Sequence, residues 1–136
     1  MGVGLLLASV GGASLFWARP ATVSGRLEDR VRQFWDAKVA GDLVKAYSFE
    51  AASKTGGVDL GQYLRARTPT LKYVGYEVVS IEEKGDEAGV EVDISYTVRY
   101  PQSRNISSSL RAHEAWLRLD GIWYHETKAG PEMPVA

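Results

Sequence analysis

Two histidines, His113 and His125, are the side chains here that titrate nearest neutral pH. A histidine base works when a hydroxyl or carboxyl group lies within hydrogen-bond reach of it. His113 lies in "SLRAHEAWLRL" and alternates with Ala115, Leu117 and Leu119. If those residues face a core, His113 points inward and becomes a candidate general base beside Tyr47 or Tyr63. Against this, a lone histidine on a strand is more commonly a hydrogen-bonded structural group. His125 alternates with Trp123 near the chain end and is expected to be exposed. Val92, Ile94, Tyr96 and Val98 form the expected inward set of another strand, which sends Glu91 and Asp93 to the opposite face. That leaves no inward acid among them, so the non-catalytic reading leads and His113 is the single catalytic candidate.

Other site chemistries find no footing. The sequence has no cysteine, which excludes disulfides and thiolate zinc sites. Two histidines without an acidic cluster make no metal site, and no phosphate loop or nucleophile motif is present. No cofactor and no metal are therefore expected. A formal net charge of −1 argues against a nucleic-acid surface. Arg26, Arg30 and Arg32 cluster, but Glu28 and Asp29 sit among them, as on a solvated helix face. Trp35, Tyr47, Tyr63, Tyr96 and Trp116 suit either a ligand pocket or a core. Core filling is favoured, because a small domain needs large side chains. Asn105-Ile106-Ser107 matches a glycosylation sequon, too short a pattern to carry weight.

Positioning elements follow from periodicity. Leu27, Val31, Phe34, Trp35 and Val39 make one helical stripe, with Gly41 as its C-terminal cap. Asp42 can cap a second helix through Leu43, Ala46, Tyr47 and Phe49. Asp59 with Gln62 reads as a variant capping box for a short third helix, ended by Pro69. The period then becomes two. Tyr73 to Glu82 is strand-like, Lys84-Gly85-Asp86 turns, and Val90 to Tyr100 alternates apolar and polar. Pro101 to Ser108 reads as a polar loop and Leu110 to Leu119 as a strand. Asp120-Gly121 is a two-residue hairpin turn into Ile122 to His125. Helices followed by strands indicate an α+β domain.

The N-terminal segment stands apart. Met1 to Ala18 carries no charged side chain. As a helix it would rise about 27 Å, near the ~30 Å of a hydrocarbon core. With no basic n-region it reads as a retained single-pass anchor rather than a cleaved leader. Gly4, Ala8 and Gly12 would offer a small-residue face to a neighbouring helix. Leu6 excludes the myristoylation pattern. The expected organisation is an anchor helix over 1–20, a linker over 21–25, a domain over 26–128 and an irregular tail over 129–136.

"FWDAKVAGDLVKAYSFEA", "LGQYLRAR", "YEVVSIEEKGDEAGVEVDISYTVRY" and "AWLRLDGIWYHE" together resemble the nuclear transport factor 2-like (cystatin-like) fold over residues 26 to 127. The resemblance implies about three helices packed on a curved, mainly antiparallel sheet of about four strands. It implies no single function, since that superfamily hosts isomerases, dehydratases, adaptors and inert scaffolds. Its isomerase-type aspartate facing a tyrosine has no match at these positions. The leading expectation is a non-catalytic accessory or scaffold subunit of a multi-subunit membrane complex, respiratory or photosynthetic hosts being plausible. Its partners would be integral membrane subunits and the lipid bilayer, with the globular part on the periplasmic side. The alternative is a tethered small-molecule-binding or isomerase-like enzyme.

Overall fold

In the computed structural model the described residues are 26–102 and 104–128. The first helix, α1 (Leu27–Ala40), begins after Arg26, with Glu28 and Asp29 in its first turn, where carboxylates complement the helix dipole. Gly41 ends it in the left-handed conformation at φ 77°, and its N–H bonds back to the last turn. Asp42 caps α2 (Leu43–Tyr47) by accepting from the Lys45 N–H. One turn, α3 (Ala52–Thr55), follows, and then α4 (Leu60–Arg65), which opens on a full Asp59–Gln62 capping box.

Four antiparallel strands then pair in sequence order: β1 (Leu71–Lys84), β2 (Glu87–Arg99), β3 (Asn105–Leu119) and β4 (Ile122–His125). Asp120 and Gly121 both take positive φ, 51° and 81°, as the tight β3–β4 hairpin requires. The strand β3 starts at Asn105, inside the stretch expected to be loop. Its polar end is held by the long β2, where Thr97 and Ser107 face each other with their hydroxyl oxygens 3.3 Å apart.

Two bulges shape the sheet. Between Tyr73 and Gly75, and between Val78 and Ser80, β1 carries one residue more than β2 opposite it. The strand therefore bends around α1. Tyr73, Tyr76, Val78 and Ile81 all pack on the core despite uneven spacing, while the extra residues Val74 and Val79 stay exposed. The core lies between α1 and the concave sheet face, formed by Val31, Phe34, Trp35, Val90, Val92, Ile94, Trp116 and Trp123. The outer face is a polar ladder of Asp93–Arg111 and Glu91–His113 pairs. Of the three clustered arginines, Arg30 is buried, its guanidinium over the Phe49 and Tyr124 rings and its Nε donating to the Trp123 carbonyl.

The expected architecture needs correction. In place of an anchor helix ahead of a three-helix nuclear transport factor 2-like domain, the described residues form four helices, three of them no longer than six residues, and a four-stranded antiparallel sheet. No helix among the described residues is long and apolar enough to cross a membrane, so the single-pass membrane assignment has no support here. The proposed anchor over 1–20 with Gly4, Ala8 and Gly12, the linker over 21–25 and the tail over 129–136 lie outside the described residues. The fold assignment failed because amphipathic helices, a Gly-Asp joint and an Asp-Gly hairpin are local solutions that many α+β folds share.

Candidate functional site

Beneath α1 and α4, against the concave face of the sheet, lies a cavity of about 410 Å³, within the range of small-molecule sites. Its walls include Trp35, Lys38, Tyr63, Tyr73, Glu114 and His125. Each is placed by a distinct element. The α1 stripe presents Trp35 and Lys38, the capped α4 presents Tyr63, the bulged start of β1 presents Tyr73, and β3 and β4 present Glu114 and His125.

Glu50, 3% exposed, joins the helical half to the last strand. Its backbone forms a parallel bridge with His125, supported by bonds from Ala51 N–H to the His125 carbonyl and from His125 N–H to the Phe49 carbonyl. This places the Glu50 carboxylate 2.7 Å from His125 Nδ1. Thr127 donates to the same oxygen at 3.0 Å and Tyr63 to the other at 2.9 Å. Burial by itself would raise the Glu50 pKa, but the His125 hydrogen bond and charge, the Tyr63 hydroxyl and the Lys38 charge outweigh it and hold the group below its ordinary value.

Glu114 flanks the other side of the ring. Trp35 Nε1 donates to its two oxygens at 3.3 and 3.1 Å, and Trp116 Nε1 donates at 3.2 Å. His125 Nε2 lies 3.6 Å from Glu114 Oε2, an ion-pair distance rather than a hydrogen bond. Burial would lower the His125 pKa, yet the Glu50 hydrogen bond and the charges of Glu114 and Glu50 raise it. The protonated imidazole is therefore favoured relative to a free histidine, with Nδ1 clamped by Glu50 and Nε2 turned toward Glu114. Its ring stacks on Phe34 at 4.7 Å between centroids and meets Trp116 edge-on. Lys38 sets its ammonium 5.2–5.4 Å from the centres of the Phe34, Trp35 and Tyr73 rings.

The two histidines exchange the roles expected of them. His113 borders the cavity, but its side chain is 70% exposed and turns to the outer face, with Nδ1 3.2 Å from Glu91. Tyr47 donates instead to the Val58 carbonyl at 2.6 Å and Tyr63 to Glu50 at 2.9 Å. The inward residues of β3 are Leu110, Ala112, Glu114 and Trp116, opposite Ile94, Val92, Val90 and Ala88. Both Glu50 and Glu114 went unremarked in the sequence. One signal was present: Glu114 lies two residues from Trp116, so a tryptophan assigned to the core carries Glu114 inward with it. Among the described residues no group of three or more carboxylates and histidines is arranged to hold a metal ion.

The opposite shifts of Glu50 and His125 define a stability window. Glu50, held below its ordinary value of 4.5, contributes stability that is present above pH 4.5 and lost as pH falls through its folded value. His125, held above its ordinary 6.5, contributes stability that is full below pH 6.5 and lost as pH rises through its folded value. Urea midpoints are thus expected to be highest between about pH 4.5 and 6.5. In His125→Gln the fall on the alkaline side should disappear; a midpoint that still drops there would assign the fall to another group.

No protein-family model matches the chain, and no curated protein matches it. Among solved structures it is similar to the solution structure of a SEC-C motif-containing protein from Rhodopseudomonas palustris, with a TM-score of 0.61 and 15% sequence identity over 85% of this chain and 86% of that one. At that identity the likeness concerns the fold alone. It replaces the nuclear transport factor 2-like resemblance, which no comparison supports, and it carries no membrane-spanning assignment with it.

Proposed function

We propose that the protein binds a small carbonyl-bearing molecule in the cavity beneath α1 and α4 and moves a proton on it. One observation carries the reading: a buried imidazole is clamped by Glu50 at Nδ1 while Nε2 and the Glu114 carboxylate converge on the cavity wall. In the step that suits this geometry, Glu114 accepts a proton from carbon beside the carbonyl, and the C–H electron pair moves toward the carbonyl oxygen. His125 Nε2–H donates to that oxygen as charge develops on it. Glu50 orients the ring and sustains its charge, and Trp35 and Tyr73 supply apolar walls. The expectation of a non-catalytic accessory subunit rested on an absence of inward acids. Glu50 and Glu114 remove that ground, and the alternative of a small-molecule-binding, isomerase-like activity is the better supported.

The test is hydrogen–deuterium exchange at the α-carbon of cyclohexanone, cyclopentanone and acetone in deuterium oxide, followed by proton NMR. Exchange above buffer is expected, and Glu114→Gln should lower it at least about a hundredfold, the usual scale for a positioned base. Arg111→Ala, which pairs with Asp93 on the outer face and does not line the cavity, should leave it unchanged. Exchange equal to buffer for all three ketones, or a Glu114→Gln rate equal to wild type, would overturn the reading.

A further inference from the structure

The geometry points to a second binding site, a basic groove at the open end of the sheet that takes a small polyanion. The groove has a volume of about 590 Å³ and is walled by the end of α1, the 67–70 segment, the first residues of β1 and the last of β2. Lys38, Arg67, Lys72 and Arg99 line it, and no aspartate or glutamate does. The chain as a whole carries slightly more carboxylates than cations, 17 against 16, so this segregation is local.

Four arginines elsewhere have carboxylate partners: Arg26 with Asp29, Arg32 with Glu28, Arg111 with Asp93 and Arg118 with Asp86. Arg67, Lys72 and Arg99 have no ion-pair partner among the described residues, and all three are exposed. Like charges around one hollow repel, and an anion bound there relieves that repulsion. The scaffold beneath them is ordered by backbone bonds, with Leu71 N–H on the Thr68 carbonyl at 3.0 Å and Arg99 N–H on the Thr70 carbonyl at 2.9 Å. Arg67 and Arg99 are thus carried on one tied-down unit, and their guanidinium forks suit bidentate contact with phosphate or carboxylate oxygens. Several cations at one hollow call for a ligand with at least two negative charges, and the volume suits a small molecule. The groove shares Lys38 and Tyr73 with the cavity, but neither Glu114 nor His125 lines it, and Arg67, Lys72 and Arg99 do not line the cavity, so either reading can fail alone.

Titrating the full chain at low ionic strength with pyrophosphate and, separately, with citrate tests the site by amide NMR shifts. Saturable shifts over residues 67–74 and 97–99 are expected, with a dissociation constant of about 1 mM or tighter. The Arg67→Ala/Arg99→Ala double variant should weaken binding at least about tenfold, while Arg118→Ala, on a paired arginine outside the groove, should not. Should the double variant lose its native spectrum, Lys72→Ala alone is expected to weaken binding measurably. Tighter binding of pyrophosphate assigns the site to phosphates, tighter binding of citrate assigns it to carboxylates, and equal affinity assigns it to polyanions generally. No saturable shift with either anion up to about 10 mM, or equal weakening by Arg118→Ala, would overturn the proposal.

Discussion

Glu50→Ala is expected to destabilise the protein by about 3–5 kcal/mol, the scale for removing one partner of a buried ion pair. Three donors converge on the Glu50 carboxylate, from His125, Thr127 and Tyr63. Alanine strands all three and leaves the His125 charge with only Glu114, 3.6 Å away. The His125 pKa should then fall, because burial opposes its charge and the Glu50 hydrogen bond is the strongest influence raising it. Urea unfolding gives the stability, and the C2-proton NMR shift followed against pH gives the titration. A loss below about 1 kcal/mol together with an unmoved titration would mean that Glu50 does not hold the ring. Glu50→Gln keeps one acceptor oxygen, for Thr127 and His125 or for Tyr63 but not for both, and so should cost less than alanine while still lowering the His125 pKa.

Trp116→Ala should cost about as much by a different route, about 3–5 kcal/mol from cavity formation. Trp116 is fully buried, at 0% exposure, and its ring meets Phe34 edge-on at 5.6 Å and His125 at 5.5 Å. It also donates to Glu114, so its removal loosens the carboxylate proposed to accept the proton. Stability and ketone exchange should therefore fall together. Trp116→Phe refills most of the volume without the N–H donor. It should recover most of the stability but leave exchange below wild type, which separates packing from positioning. If phenylalanine restores both fully, the indole N–H plays no part in holding Glu114.

Much of the local structure was legible before the fold was known. The stripe of Leu27, Val31, Phe34 and Trp35 recurs at helical spacing, and the structure buries all four. Gly41, Asp42 and the Asp59–Gln62 pair lie at the caps their chemistry suits. In β2 the alternation was unambiguous because every second residue from Glu91 to Arg99 is polar. In β1 it was not, since the two bulges break the period while keeping Tyr73, Tyr76, Val78 and Ile81 on one side.

The site itself was hidden for two physical reasons. In β3 both alternating sets are apolar enough to face a core: Ala115, Leu117 and Leu119 on one parity, Leu110, Ala112 and Trp116 on the other. Periodicity cannot choose between them, and a one-residue change of parity exchanges His113 for Glu114. Only the register with β2, which sets Trp116 opposite Ala88 and Glu114 opposite Val90, decides it. Glu50 and His125 lie 75 positions apart, and no local pattern links one to the other. Hydrophobic pattern, capping and turn chemistry are short-range, so α1, α2, α4, the alternating β2 and the Asp-Gly hairpin could be read locally, whereas the single turn α3 could not. The bridge that closes the helical half onto β4 is long-range, and only the tertiary structure could decide that a buried imidazole would stand between two carboxylates.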